Sequence, residues 1–439
     1  MLKTVNRLRK SEFIKNVFTL VSATSVAQGI ALLIYPLLTR IYSPAEHGLF
    51  ALFMSIIAVS AMISTGKYEL AVMIPKKDKE GMSLVFLSLL LSMLFSFFLL
   101  IIILIFYNRI PLWLGNPDIE KWLYFVPFST FLIGSFQAFS YWNNRMKKYR
   151  NIATANLGQS IVNSIIKLTT SNAIPAGGGL ISGAIGGQVA GLLVYLKRFF
   201  QKDRNYIREI NRPDLKQVAK KFHFFPRYNM PHYLTNNFSS NLPVFVFSSW
   251  FSSAEVGLYS LAFLVINRPM SLITNSLTQV FSQRVIEKHN KGEKVRKEVL
   301  QLVNRLVLFS FVPFIFIGIF GPRIFGFVFG EEWFQAGRYM QLLLPWLFMV
   351  FISSPLSFLP DILALQKKAM WIDIAKFILR MLALSIGVIM KDISVAITLF
   401  SAISFILVSY SLYWYVNLSA LADKRSEQLT VDKWLKTND

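Results

Sequence analysis

The chain has 439 residues, of which 54% are hydrophobic and 16% are charged. Because a soluble domain usually carries about a quarter charged residues, this composition favours a membrane protein. It has no cysteine, which excludes disulfide and thiolate chemistry, and its 4 histidines lack metal-ligand spacing, so neither a metal nor another cofactor is expected. The formal net charge of +23 suits an acidic partner, but the basic residues lie between apolar runs, as in loops that face anionic lipid, and this placement argues against nucleic acid.

Twelve apolar segments follow one another along the chain, and about 20 apolar residues are enough for a helix to cross a bilayer. We predict membrane spans at 13–38, 48–66, 82–106, 122–142, 151–171, 178–197, 232–251, 256–280, 300–320, 339–360, 372–390 and 393–416. The first span follows a basic N-terminus, but no small-residue cleavage site follows it, so we expect a membrane helix and not a signal peptide. The predicted fold class is all-α, a polytopic membrane protein with about 12 transmembrane helices.

Lysine and arginine are distributed unequally between the predicted loops. With a cytoplasmic N-terminus, the cytoplasmic segments hold 37 of these residues and the opposite side holds 6. Cytoplasmic loops of membrane proteins carry such an excess of basic residues. We therefore expect both termini in the cytoplasm, which agrees with an even number of spans.

The chain contains an internal repeat, because Ser43–Leu52 (SPAEHGLFAL) aligns with Ser252–Leu261 (SSAEVGLYSL) at an offset of 209. Both halves begin on the same side of the membrane, and transporters built from such parallel repeats place their substrate between the halves. We predict two pseudo-symmetric six-helix bundles around a central cavity. The predicted domains are an N-terminal bundle at 1–197, a basic cytoplasmic linker at 198–231, a C-terminal bundle at 232–416 and a cytoplasmic tail at 417–439.

Polar side chains interrupt the first helices of both predicted halves, although an unpaired amide in hydrocarbon costs several kcal/mol. Gln28 and Asn237 are also 209 residues apart, which indicates that both halves contribute. We expect six amide residues to line the central cavity: Gln28, Asn236, Asn237, Asn241, Asn275 and Gln279. The alternative for any one of them is that it only joins two helices by hydrogen bonding.

Charged residues in the predicted spans form the second set of candidates, because a charge inside a membrane is costly and is usually functional. Acidic residues are few there, so the cavity should be cationic and should suit an anionic substrate. The candidate substrate-binding cations are Arg268, Lys167, Arg40 and Arg380. For Arg380 the alternative is that its long side chain extends to the membrane surface. Three further charged residues are candidates for ion coupling or for a gate: Lys67, Glu69 and Asp361.

Six motifs extend over nearly the whole chain. They are RIYSPAEHGLFAL (40–52), GKYELAVMIPKK (66–77), YWNNRMKKYRNIA (141–153), GLISGAIGGQVAG (179–191), AEVGLYSLAFLVINRPMSLITNSLTQVFSQR (254–284) and FGEEWFQAGRYMQLLLPW (329–346). In order and spacing they resemble Wzx-like O-antigen and polysaccharide flippases of the multidrug/oligosaccharidyl-lipid/polysaccharide (MOP) exporter superfamily. Arg268 lies in the longest motif, whereas Lys167 and Arg380 lie outside all six.

The resemblance implies a transporter and not an enzyme. It implies that undecaprenyl-pyrophosphate-linked oligosaccharide units, such as those of lipopolysaccharide O-antigen, move from the cytoplasmic to the periplasmic leaflet of the bacterial inner membrane. Two bundles that alternate access would carry out this movement without a cofactor, driven by the membrane potential, a cation gradient or both. The expected partners are this cargo, membrane lipids, and the polymerase and chain-length proteins of the same pathway.

Three alternatives differ from this interpretation. A peptidoglycan-precursor flippase of the same superfamily is the nearest, although it usually has two additional C-terminal spans. A drug/cation antiporter of the superfamily would need acidic residues in the first bundle, and spans one to six offer none securely. A polysaccharide polymerase, the enzyme alternative, usually has a large periplasmic loop, and every predicted periplasmic connection here is short.

Overall fold

The computed structural model describes residues 25–171, 173–174, 177–208, 210–363 and 365–437. Within these ranges the regular secondary structure is helical throughout, so the predicted all-α class is confirmed. The long helices are α1 (Ser25–Ile41), α2 (Pro44–Ser64), α3 (Asp78–Phe106), α4 (Phe125–Arg145), α5 (Tyr149–Thr169), α6 (Gly178–Lys202), α7 (Arg212–Lys221), α8 (Met230–Trp250), α9 (Ser253–Asn290), α10 (Arg296–Phe329), α11 (Phe334–Ser353), α12 (Gln366–Ile389) and α13 (Ile393–Thr437).

Every predicted span coincides with one of these helices, and the part of the first span at 13–24 lies outside the described residues. In the described part of the chain, 7 helical stretches are long and apolar enough to cross a membrane. They are α2, α3, α6, α9, α10, the segment Glu331–Ile362 that contains α11, and α13. The polytopic membrane fold is therefore confirmed, and the total of about 12 spans stays a prediction because the other long helices are shorter or more polar.

The described residues form two compact units that divide between Gly257 and Leu258. The first unit contains α1 to α8 and the first turn of α9, and the second contains the rest of α9 and α10 to α13. Within the first unit α8 packs against α2, although the internal repeat assigns α8 to the second half. The compact units and the repeat thus divide the chain at different places, and the domain limits drawn from the sequence stay a prediction.

The strongest repeat match corresponds to the same kind of helix start in both copies. At the start of α2, the backbone N–H of Ser43 donates to the Glu46 carboxylate at 2.9 Å, and the Ser43 hydroxyl accepts from the Glu46 N–H at 3.4 Å. Ser252 and Glu255 make the same two bonds at the start of α9, at 3.0 and 3.2 Å. Each pair satisfies backbone donors that a helix start leaves without intrahelical partners.

Two glycines of the repeat, Gly48 in α2 and Gly257 in α9, lie at a close crossing of these helices. A Cβ atom on Gly48 would overlap the carbonyl oxygen of Ser253, and one on Gly257 would overlap that of Pro44. The two backbones are therefore in direct contact, as in small-residue crossings of membrane helices. The SxAExG pattern of the repeat thus specifies both a capped helix start and this crossing.

The basic linker helix α7 is held against the first unit. Lys221 contacts Glu80 at 2.6 Å, and the Tyr68 hydroxyl donates to the backbone carbonyl of Ala219 at 3.1 Å. Because Glu80 lies in the first turn of α3, α7 is fixed to the end of α3 that the sequence predicts to be cytoplasmic.

Asp214 caps the N-terminal end of α7. Its carboxylate accepts from the backbone N–H of Asn211 at 3.0 Å and contacts the Lys79 ammonium at 2.9 Å. The hydrogen bond from Asn211 first, and then the contact with Lys79, lower the pKa of Asp214 below its ordinary value because both favour the charged form. The start of α7 is therefore stabilised by a charge that is lost only at low pH.

Candidate functional site

Helix α9 carries three of the exposed polar candidates. At 1.5 Å per residue its 38 residues extend for about 57 Å, well beyond a hydrocarbon core of ~30 Å. Arg268, Asn275 and Gln279 are spaced by seven and four residues, which places them on one face of the helix, and all three are exposed. We call these three residues the polar face of α9.

Hydroxyl groups beside this face are satisfied within the helix itself. Ser271 donates to the backbone carbonyl of Arg268 at 2.8 Å, and Thr278 donates to that of Thr274 at 2.7 Å. The guanidinium and the two amides instead lie at the helix surface. Such groups are costly against hydrocarbon, so the polar face of α9 requires water or a polar ligand in front of it.

Lys167, near the end of α5, lies inside the first unit with 6% of its surface exposed. Its ammonium nitrogen is 4.3 Å from the ring centroid of Phe50 in α2, a cation–π distance. The Tyr42 hydroxyl donates to the backbone carbonyl of Lys167 at 2.6 Å. Gly183 in α6 provides space, because a Cβ atom there would overlap the Lys167 side chain. Lys167 therefore connects α5 with α2 and α6.

Arg380, in α12, is a buried cation of the second unit, with 7% of its surface exposed. Its Nε donates to the Ser404 hydroxyl at 2.9 Å, and its Cζ is 5.4 Å from the ring centroid of Trp346 and 5.5 Å from that of Phe400. A guanidinium plane stacks well on aromatic rings. The side chain therefore connects α12 with α11 and α13 inside the unit.

The two buried cations have aromatic neighbours at equivalent places in the repeat. Phe50 and Tyr259 are 209 residues apart, which is the offset of the strongest match. Phe50 faces Lys167, and Tyr259 interacts electrostatically with Arg380. Sequence reasoning selected the two cations and missed these aromatic residues, although the aligned tripeptides GLF and GLY contain the signal.

The amides of α8 and α1 have different environments. Asn241 donates to both the backbone carbonyl and the side-chain oxygen of Asn237, at 2.9 and 3.0 Å, so these two are joined within α8. Asn236 is exposed. Gln28 in α1 is half-buried, and its Oε1 has no hydrogen-bond partner among the described residues.

Lys67 and Glu69 form a buried ion pair with 3.4 Å between the ammonium and a carboxylate oxygen. Lys67 has a φ of 61°, a left-handed conformation that is uncommon outside glycine, and its ammonium is 5.1 Å from the ring centroid of Tyr233 in α8. The second carboxylate oxygen of Glu69 is buried and has no hydrogen-bond partner within the described ranges. The role of this pair in ion coupling or gating stays a prediction.

Two charged candidates lie at the surface of the molecule. Arg40 is exposed near the end of α1, and Asp361 is exposed in the single helical turn Leu359–Ile362. The predicted site residues are therefore not all brought together: three share the polar face of α9, and the others divide between unit interiors and surfaces.

Solved structures with this fold are membrane transporters. An inward-facing multidrug resistance transporter of the MATE family of the MOP superfamily matches with a TM-score of 0.66 and 15% identity, over 92% of this chain and 96% of that chain. An outward-facing one matches with a TM-score of 0.61 and 14% identity, over 94% and 96%. A MOP superfamily transporter from Pyrococcus furiosus, described as having a binding pocket of reverse polarity that suggests a different function, matches with a TM-score of 0.62 and 15% identity, over 93% and 96%. The molecule is thus a polytopic membrane protein with the MOP fold.

A family model described as polysaccharide biosynthesis protein matches residues 37–337, from the end of α1 into α11. The chain belongs to this polysaccharide biosynthesis family. The resemblance to MOP polysaccharide flippases that the motifs predicted is thereby confirmed, and family and fold together support a transporter or flippase of this superfamily. No curated protein matches the sequence.

Proposed function

We propose that this protein is a flippase that moves undecaprenyl-pyrophosphate-linked oligosaccharide units, such as O-antigen units of lipopolysaccharide, from the cytoplasmic to the periplasmic leaflet of the bacterial inner membrane. The family assigns the chain to polysaccharide biosynthesis, and the fold is that of transporters. The observation that carries the proposal is the polar face of α9, because Arg268, Asn275 and Gln279 are exposed on a helix long enough to cross the bilayer.

The chemistry of this face suits the head of such a lipid. A polyprenyl tail stays in hydrocarbon throughout, so only the sugars and the pyrophosphate need a polar passage. The Arg268 guanidinium can make charge-assisted hydrogen bonds to phosphate oxygens. The amides of Asn275 and Gln279 can replace water at sugar hydroxyls. In the first unit, the amides of Gln28, Asn236, Asn237 and Asn241 offer the same chemistry.

The other charged candidates take supporting roles in this proposal. Arg40 is exposed in the first unit and is proposed as a cation for phosphate. Lys167 and Arg380 are buried, so they act on the anionic head through their positive potential. The buried pair Lys67–Glu69 and the exposed Asp361 are the groups proposed for ion coupling or for a gate.

The membrane potential is a sufficient driving force for outward movement. The cell interior is negative, and the head carries about two negative charges, so a potential of about 100 mV contributes about 4–5 kcal/mol in the outward direction. Net export then needs neither a catalytic residue nor a cofactor. Both termini remain cytoplasmic in this scheme, as the distribution of lysine and arginine predicts.

The test uses purified protein in vesicles that contain fluorescent undecaprenyl-pyrophosphate oligosaccharide, with an external glycosidase that reports sugars arriving at the outer leaflet. Vesicles with protein should lose fluorescence faster than protein-free vesicles, and collapsing an inside-negative potassium potential should slow the loss. Equal rates with and without protein would exclude the flippase. A rate that is faster with protein but does not change with the potential would support the flippase and exclude the membrane potential as its driving force.

A cation antiporter is the second candidate, and the buried carboxylate of Glu69 in the first unit favours it. The close contact of Glu69 with Lys67 opposes it, since the ammonium already neutralises this carboxylate. The same vesicles loaded with a cationic dye distinguish the two. Proton-driven dye export that Glu69→Gln abolishes would support the antiporter, and no dye export with active oligosaccharide movement would exclude it. Replacing the oligosaccharide by a peptidoglycan precursor tests the remaining alternative in the same way.

A further inference from the structure

An apolar cavity of about 370 Å³ lies among α9, α10 and α11 in the second unit, within the range of about 300–1,000 Å³ that ligand pockets occupy. α9 lines it with side chains between Val265 and Ile273, most of which the helical spacing places on a different side from the polar face. Ser310, the one polar side chain that the structure describes in this lining, donates its hydroxyl to the Leu306 carbonyl at 2.6 Å. A cavity of this kind favours an apolar ligand over water, which needs polar partners.

Helix-breaking prolines explain why the cavity exists. Pro269 lies inside α9 and Pro313 inside α10, and both line the cavity. A proline in a helix removes one backbone hydrogen bond and bends the axis, so two helices with prolines at the same level separate there. α10 and α11 are in close contact at one end of the cavity, where a Cβ atom on Gly321 of α10 would overlap the side chain of Met340 in α11.

The cavity opens toward the lipid-facing side of α10. Phe309, which lines it, is 65% exposed, and its neighbours Leu308 and Val312 are 78% and 70% exposed. Large exposed apolar side chains on a helix that crosses the membrane lie against lipid tails. A hydrocarbon chain can therefore pass from the bilayer into the cavity without crossing water.

The position of the cavity relative to the polar face selects one occupant. Pro269 lines the cavity and directly follows Arg268, so the cavity and the polar face lie at the same level on different sides of α9. A lipid whose phosphate lies at Arg268 leads its chain around α9 to this side. We propose, as an extension of the proposed flippase function, that the cavity binds a segment of the polyprenyl chain of the cargo.

Binding of the chain keeps the lipid attached while its head leaves one leaflet. It also makes chain length a determinant of recognition, since a short prenyl group that reaches only the polar face leaves the cavity without its ligand. The site is thus specific for a long isoprenoid chain, and the polar face for its pyrophosphate.

The experiment uses the full chain in nanodiscs with undecaprenyl pyrophosphate that carries a diazirine near the end of its chain. After illumination, mass spectrometry should place the crosslink on α10 between Phe309 and Phe325. Ile273→Trp and Met270→Phe fill the cavity from α9 and should reduce this labelling by about tenfold or more, the loss expected when two or more methylene groups lose their burial. Leu308→Trp, on the lipid-facing surface of the same region, is the matched control and should label as wild type does.

Geranyl pyrophosphate, which has the head without the long chain, should compete for the crosslink far more weakly than unlabelled undecaprenyl pyrophosphate does. Crosslinks outside the cavity in the wild type, or labelling that both filling variants leave unchanged, would overturn the proposal. Equal labelling of the cavity by a diazirine phosphatidylglycerol would also overturn it, because the occupant would then be ordinary lipid. Failure of the proposed flippase function is distinguishable from failure of this proposal. Vesicles would then show no oligosaccharide movement, whatever the position of the crosslink.

Discussion

Arg268 and Arg380 belong to the same unit and have the same side chain, and the sequence marks both as charges inside the membrane. Arg380 is buried between two aromatic rings and a hydroxyl, whereas Arg268 is exposed on the polar face of α9. The charge of Arg380 holds helices together, whereas the charge of Arg268 is available to a ligand or to water at the helix surface. An intramembrane charge thus indicates a constraint, and its exposure decides whether the charge can contact a ligand directly or acts from inside the fold.

The largest effect on stability is expected from Arg380→Ala. It removes stacking on Trp346 and Phe400 and leaves the Ser404 hydroxyl without its donor, which should cost about 2–4 kcal/mol of unfolding free energy. Arg380→Lys should recover only part of this unfolding free energy, because an ammonium cannot stack on aromatic rings as a guanidinium does. Thermal unfolding in detergent, followed by tryptophan fluorescence, measures this. An unchanged unfolding midpoint combined with lost transport would show that Arg380, like Arg268, serves the ligand and not the stability of the fold.

Arg268→Ala should show the reverse pattern. Removal of a charge-assisted contact to phosphate should lower the transport rate by about tenfold or more, with normal abundance and an unchanged unfolding midpoint. Arg268→Lys should transport at an intermediate rate. Surface polysaccharide in cells without their own flippase measures this, beside protein abundance. The matched control is Arg284→Ala, which removes an exposed arginine of α9 that pairs with Glu298 and should transport normally. Full transport by Arg268→Ala would make Arg268 a structural residue as well.

A smaller effect tests whether Lys167 resembles Arg380. Lys167→Met and Phe50→Leu each remove one side of the same cation–π contact, so their effects on unfolding should not add, with a coupling energy of about 1–2 kcal/mol. Phe97→Leu, at an exposed position of the first unit, should add to Lys167→Met without coupling. If the effects of Lys167→Met and Phe50→Leu on the unfolding free energy were additive, the contact between the two side chains would contribute nothing to stability. Lys167 would then not resemble Arg380 as a cation held by aromatic rings.

The smallest effect concerns pH at α7. Because the folded state lowers the pKa of Asp214, its contribution is complete above the ordinary aspartate value and is lost as pH falls through the lowered value. Hydrogen exchange at 212–221, corrected for intrinsic rates, should therefore speed up only under strongly acidic conditions. Asp214→Asn should remove this dependence while still accepting the bond from Asn211. Exchange that accelerates equally in both proteins would assign the transition to other groups.

Sequence reasoning located the helices well, since every predicted span coincides with one. Hydropathy and length suffice for this because the bilayer requires helices of fixed minimum length. The polar face of α9 was also predictable, as its residues repeat with helical spacing. The burial of Lys167 and Arg380, the pairing of Asn237 with Asn241, and the apolar cavity were not, because each depends on which neighbours a helix meets after folding.

The crossing of Gly48 and Gly257 also has a mechanical consequence. Without side chains between them, the two backbones have no room to slide over each other there, and a change of angle is the remaining freedom. A Cβ atom at either position would have to displace backbone, so the same position in both copies of the repeat requires glycine.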